Sequence, residues 1–276
     1  PPPTLRPCTN AWMKRPELKE LLTGAQARGT EAGFFYNGFV VQHGVEDKLL
    51  FSSDMFSFYQ QLKNGRRVCL LNGGIPAPTP EEIAAIRRQN YGTAEQLAAG
   101  LVPNIQYAAA PELQRLMVKA FLDLVLEEAG QPGATIPRLT NRAVYLLVWL
   151  RRYQKELFAN WKLPEIGAFL LFGRCATASE ALFLRLLARL PVDVLVLLPD
   201  LNQGCPLRDP ALLELRYEQS LPMERFPVEA GQVRVSTAAY QAERDLDSLM
   251  YQDSGMYRNQ QYGKAEAVTL RTMYEE

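Results

Sequence analysis

The chain has 276 residues, 47% of them hydrophobic, and 30 Lys and Arg against 30 Asp and Glu give a net charge of zero. That balance argues against a dedicated nucleic-acid binder, which carries a basic excess, while the length supports a core that needs no metal or disulfide staple. No run of about 18 apolar residues suggests a membrane span, and Cys8, Cys69, Cys175 and Cys205 are scattered without a C-x-x-C pair, so reduced thiols are expected rather than a zinc knuckle or a disulfide framework.

The opening Pro1-Pro2-Pro3-Thr4 lacks the basic start and apolar core of a signal peptide, so the cytoplasm is the expected compartment. The missing initiator Met suggests a piece cut from a longer protein. Residues 1–32 read as an irregular arm with a short helix near Glu17–Leu22, after Pro16. Residues 33–42 are aromatic and β-branched, so strand-like. Met55, Phe58, Tyr59 and Leu62 mark one helix face; Ser53 is the expected cap, Asn64-Gly65 the stop and Arg67–Leu71 the next strand.

Thr79-Pro80-Glu81-Glu82 is a capping box and predicts a helix to about Gln89; Thr93 with Gln96 repeats the signal. Residues 103–110 read as a loop. Residues 111–129 form the clearest amphipathic helix, with Leu113, Leu116, Met117, Ala120, Phe121 and Leu124 on one face and Gly130 as stop. A turn over Gln131–Pro137 and a long buried helix over 141–158 follow.

The most informative stretch is 166–200. Ile166–Phe172 and Val192–Leu198 are apolar runs of strand length, broken only by Asp193, as buried parallel strands require. Between them Thr177-Ala178-Ser179-Glu180 opens a capped helix to about Leu190. Strand, helix and strand should close as a right-handed crossover. The expected fold is therefore α/β: Rossmann-like parallel sheet units with a helical middle segment. It divides into an N-terminal α/β part over 1–102, a helical connection over 103–160 and a Rossmann-like part over 161–276, or forms one continuous domain. The N-terminal half faintly repeats this rhythm, with Asp209-Pro210 taken to open the matching last helix.

No complete catalytic or metal-binding motif is present, and no cofactor is specified. His43, the single histidine, reads as a surface loop residue at a strand end. Asn72-Gly73-Gly74 lacks the lysine and spacing of a P-loop and is explained by a turn. Gly173-Arg174-Cys175-Ala176-Thr177 is better placed, joining a parallel strand to a helix N-terminus. Ligands of open α/β sheets gather at that edge. Arg174 could hold a phosphate or carboxylate with Thr177 at the helix start, although the cap alone explains Thr177. Asp200 and Asn202 follow the second strand and should face the same crevice. Near the C-terminus, Thr237 is expected to cap a helix over 238–251, with an extended run over 267–272. Between them Tyr257, Arg258 and Gln261 are candidate lining residues if that segment folds back.

The runs Arg234–Asp247, Tyr251–Gln261 and Thr269–Glu275, the strand-helix-strand from Phe172-Gly173 to Pro199, and Ile75–Glu82 are similar to YceG-like bacterial proteins. The resemblance implies a component of a biosynthetic module associated with tellurite-resistance and stress-response operons. It carries no catalytic residues over. The function expected is binding or processing of an anionic, nucleotide-like or phosphorylated small molecule, without nucleic-acid or membrane partners. The rival is a non-catalytic scaffold that docks partner enzymes of the same operon. A weaker rival, resting on the faint duplication, is a glycosyltransferase-like pair of lobes.

Overall fold

A computed structural model describes residues 5–228. In chain order these form β1 (Arg6–Thr9), a 3-10 turn (Leu18–Leu22), α1 (Ala25–Arg28), β2 (Phe34–Asn37), β3 (Phe39–His43), α2 (Phe51–Lys63) and β4 (Val68–Asn72). Then come α3 (Pro80–Ala84), α4 (Ala94–Leu101), a 3-10 turn (Val102–Asn104), α5 (Pro111–Ala129), α6 (Ile136–Phe158), β5 (Gly167–Phe172), α7 (Ala178–Ala188), β6 (Val192–Leu198) and β7 (Leu213–Arg216). The central sheet has the order β4-β5-β6-β3-β7 and every pairing in it is parallel. β1 and β2 pair separately, also in parallel. The class is α/β, and the two long apolar runs are neighbours, in register from Gly167↔Val192 to Phe172↔Leu197.

Alternation along these strands divides the core into two layers. Phe39, Val41, Phe169, Leu171, Val194 and Val196 face α4–α7. Val40, Ala168, Leu170, Leu195 and Leu197 face Phe51, Met55, Phe58 and Leu62 of α2. The route of the chain explains this. From β3 it runs outward through α2 to the edge strand β4, then steps back through β5 and β6. Crossovers of one hand travelling in opposite directions place their helices on opposite faces. The larger layer is rich in aromatics: Phe183 of α7 lies 5.9 Å from Phe169 and 5.5 Å from Trp149, centroid to centroid.

Several local expectations need correction. The strand read over 33–42 is two strands. It breaks at Gly38, whose N–H donates to Asp193 and where a Cβ would stand 2.2 Å from Leu21; β2 pairs outward with β1 while β3 enters the central sheet. Helix α2 starts earlier than Ser53, which instead donates back to the carbonyl of Leu50. α3 stops at Ala84 rather than near Gln89. α6 begins at Ile136, capped by Thr135, so the turn before it is shorter than read. Asp209-Pro210 opens no helix: one Asp209 oxygen accepts from Arg185 and Arg189, the other turns the chain at Ala211, and β7 follows. The faint repeat thus loses its last element. The capping boxes at Thr79 and Thr177 form as read, each with its reciprocal Glu contact.

Candidate functional site

Because the central sheet is all parallel, the carboxyl ends of its strands, at His43, Asn72, Phe172, Leu198 and Arg216, lie along one edge. At that edge the connections leaving neighbours β6 and β3 take opposite faces of the sheet: β3 leads toward β4 through α2, and β6 toward β7 through a segment whose Leu207 joins the α4–α7 layer. A divergence of this kind is where open α/β sheets leave a crevice for a ligand.

Arg174 sits in the turn after β5, exposed, with no carboxylate partner among the described residues. Thr177, also exposed, caps α7 by accepting from Glu180 N at 3.1 Å. The buried Glu180 carboxylate does more than close that cap. It accepts from the N–H groups of Ala176 (3.0 Å), Thr177 (2.8 Å) and, across to the loop after β4, Ile75 (2.8 Å), and from the Thr177 hydroxyl. An internal anion therefore stands where the sequence suggested an external one, and Arg174 lies outside this network.

Asp200 and Asn202 follow the adjacent strand on the same edge. Asp200 Oδ1 accepts from Asn202 N and Nδ2 (both 2.9 Å) and from Ser220 Oγ (3.1 Å). The Asn202 N–H, aided by the Ser220 and Asn202 side chains, holds the Asp200 carboxyl below its ordinary range. These two residues stitch a turn. Tyr257, Arg258 and Gln261, the helix over 238–251 and the strand over 267–272 lie outside the described residues.

His43, expected as a surface-loop residue at a strand end, is the last residue of β3 and only partly exposed, so it belongs to the sheet rather than to a loop. By alternation it shares the face of Phe39 and Val41. Its Nε2 is the one buried side-chain nitrogen or oxygen among the described residues without a hydrogen-bond partner. Burial lowers its pKa, and Arg216 and Arg208 add to this against Glu214, so the imidazole is neutral at pH 7. The available signal was its place at the end of an apolar run.

Residues 217–228 cross this edge as a strap. Tyr217 N donates to His43 O (2.8 Å), Val45 N to Gln219 O (2.9 Å), Leu221 N to Pro199 O (2.9 Å) and Phe226 N to Asn72 Oδ1 (2.7 Å). The Phe226 ring packs 5.4 Å from both Phe172 and Tyr59. Gly44 allows the crossing: its φ is +73°, and a Cβ would stand 2.6 Å from Tyr217 O. On the α7 side, a cleft of about 660 Å³ opens between Ala178, Ala181, Leu182 and Arg185 of α7, Arg138 and Arg142 of α6, and the segment Pro206–Glu214. It starts at the first residue of α7, though none of Arg174, Thr177, Asp200 and Asn202 lines it. Arg142 and Arg185 are tied to Glu128, Glu127 and Asp209; among the described residues Arg208 bonds the carbonyl oxygens of Cys205 and Leu207, and Arg138 has no carboxylate partner. No set of three metal-ligating side chains occurs among the described residues, and no described helix is long and apolar enough to cross a membrane.

A family model described as YceG domain matches residues 16–251, a range that takes in Arg174, Thr177, Asp200 and Asn202 and ends before Tyr257, Arg258 and Gln261. No curated protein and no solved structure matches.

Proposed function

The chain belongs to the YceG domain family, and on that premise we propose that it binds an anionic, nucleotide-like or phosphorylated small molecule at the carboxyl edge of a Rossmann-like sheet, as a cytoplasmic component of the tellurite-resistance and stress-linked biosynthetic module that the resemblance implies. One observation carries the reading. Arg174 stands in a strand-to-helix turn without a counter-charge among the described residues, whereas Arg28, Arg66, Arg142, Arg152, Arg185 and Arg189 are each held by a carboxylate. A buried arginine tied to a carboxylate stabilises the fold; an exposed, unpaired one beside a sheet edge is available to a ligand. The neighbouring cleft, with Arg208 and Arg138, has the volume of a small-molecule pocket.

The test is a thermal-shift screen of nucleotides, sugar nucleotides and sugar phosphates, followed by titration of Arg174→Ala. A compound at 100 times its Kd raises stability by about 2.7 kcal/mol. The variant should bind it more weakly by about 1.5–3 kcal/mol, a charge-assisted hydrogen bond, at unchanged melting temperature. If no anionic compound stabilises the wild type, or if the variant binds as well as the wild type, the reading is lost. A scaffold that docks partner enzymes is the second reading, and Glu180 favours it, because its carboxylate already occupies the start of α7. Stable complexes with proteins encoded in the same operon, without any small-molecule shift, would decide for the scaffold.

A further inference from the structure

We propose that residues 222–228 form a flap, hinged on residues 217–221 and latched by Phe226, which blocks the carboxyl ends of β4 and β5 until it swings aside. The blocking role rests on the reading that an anion binds beside Arg174; the flap itself does not. The two halves of the strap are held differently. The first half is stitched almost residue by residue. Tyr217 N and Leu221 N donate to the carbonyls of His43 (2.8 Å) and Pro199 (2.9 Å), and Val45 N donates to Gln219 O (2.9 Å). Gln219 Nε2 reaches Glu46 O (3.1 Å), and Ser220 Oγ accepts from Leu201 N (2.9 Å) and donates to Asp200 Oδ1 (3.1 Å).

The second half hangs on one residue. Phe226 N donates to Asn72 Oδ1 at 2.7 Å, and the only other hydrogen bond from this half to the described residues is a long one, Ser52 Oγ to Met223 Sδ at 4.0 Å. Pro222 and Pro227 have no N–H to give. Phe226 is buried, at 3% exposure, whereas Pro222, Glu224, Arg225 and Val228 face solvent. The Phe226 ring packs 5.4 Å from Phe172, the last residue of β5, and from Tyr59 of α2. A segment with one buried side chain and one main-chain anchor opens at low cost. The bland alternative is a fixed cover over the α2-side core; it fits residues 217–221 and not the half that follows.

What the flap covers gives it a role. Its backbone lies on the turn after β5, where Met223 O and Glu224 O would stand 3.5 and 3.9 Å from a Cβ at Gly173. Both oxygens carry partial negative charge and lie beside the turn that holds Arg174. An oxyanion seated there from this side would meet both and be repelled. Closed flap and bound anion therefore compete, and the apparent affinity is scaled down by the fraction of molecules that are open.

The native full chain is digested with trypsin across a urea series below its unfolding transition. The cuts after Arg225 and after Arg185 are followed by mass spectrometry, with rates corrected against a short peptide substrate. Flap opening exposes little surface, so the Arg225 rate should be nearly independent of urea. Arg185, buried in α7, should be cut only through global unfolding, at a rate that climbs with urea. Phe226→Ala should speed the Arg225 cut at least about tenfold, with the same flat dependence. Asn72→Ala keeps the ring, loses the acceptor and should speed it about two- to tenfold. Inorganic pyrophosphate, as the anionic probe, should raise the Arg225 rate in wild type. It should bind Phe226→Ala more tightly, by the factor by which opening increases. An Arg225 cut that climbs with urea in step with Arg185, or one that neither substitution accelerates, would overturn the flap. Pyrophosphate that slows the cut would overturn the blocking role, since the flap would then close over the anion. Pyrophosphate that binds neither protein would sink the anion reading and the blocking role together, while a flat, Phe226-dependent cut would still support the flap.

Discussion

The two ends of the central sheet treat charge in opposite ways. At the amino end, Asp193 near the start of β6 is fully buried between two arginines: Oδ1 accepts from Arg28 Nη1 and Gly38 N, each at 2.7 Å, and Oδ2 from Arg28 Nη2 (2.7 Å) and Arg66 Nη2 (2.5 Å). The guanidiniums spend their remaining donors on the carbonyls of Leu21, Thr23, Tyr36, Ile166 and Gly167, and Arg28 stacks 4.1 Å over Trp12. This knot fastens the N-terminal arm to the start of three strands. At the carboxyl end, Arg174 has no counter-charge among the described residues, and His43 keeps a buried nitrogen without a partner. Polar groups matched to each other hold a fold together; unmatched ones mark where a fold meets something else.

The sharpest way to break the contrast is at the amino end. Asp193→Asn leaves two guanidiniums facing a neutral amide and should cost about 3–5 kcal/mol of stability in urea denaturation. A loss under about 1 kcal/mol would mean that the knot is incidental. Burial works against the charged carboxylate, but Arg28 and Arg66 hold its pKa below the ordinary value. Its contribution is therefore present above the unfolded pKa of 3.8 and lost as pH falls through the lower folded value. At the carboxyl end, Glu180→Ala removes the acceptor for three backbone N–H groups and should cost about 1–3 kcal/mol, with the loop after β4 losing amide-exchange protection first. His43 should act more weakly and with the opposite pH sense from a cationic pair. Its folded pKa is depressed, so the unfolded chain takes up the proton first and stability falls as pH drops below about 6.5 toward the folded value. Comparing denaturation of wild type and His43→Gln between pH 5 and 8 isolates that slope, which should flatten in the variant. The smallest effect belongs to Arg174→Ala, within about 0.5 kcal/mol of wild type; a larger loss would place Arg174 among the structural arginines.

Much of the central sheet could be read in advance where burial leaves a one-dimensional trace. β5 and β6 are covered on both faces and so are written as apolar runs interrupted only by Asp193, and the boxes at Thr79 and Thr177 need only neighbours three residues apart. β7 left no such trace: Leu213-Glu214-Leu215-Arg216 is a short edge strand, half polar, that resembles any loop. The break at Gly38 was hidden because β2 and β3 both read as apolar strand and differ in their partners. The site was less legible still. The Arg174 turn was placed correctly, but Glu180 was read as a cap alone, since its bond to Ile75 joins loops 105 residues apart.

The strand order also sets a schedule. β3 is the first strand of the central sheet to be made, yet both of its partners come late: Phe39 pairs with Val194 and Val40 with Leu213. At synthesis rates of about 5–20 residues per second, the roughly 155 residues between Phe39 and Val194 take on the order of 8–30 s. For that time Phe39-Val40-Val41 has neither sheet neighbour and offers an uncharged edge to any other chain nearby. β3 gains its first sheet neighbour only when β6 arrives, and β7 then covers its other side.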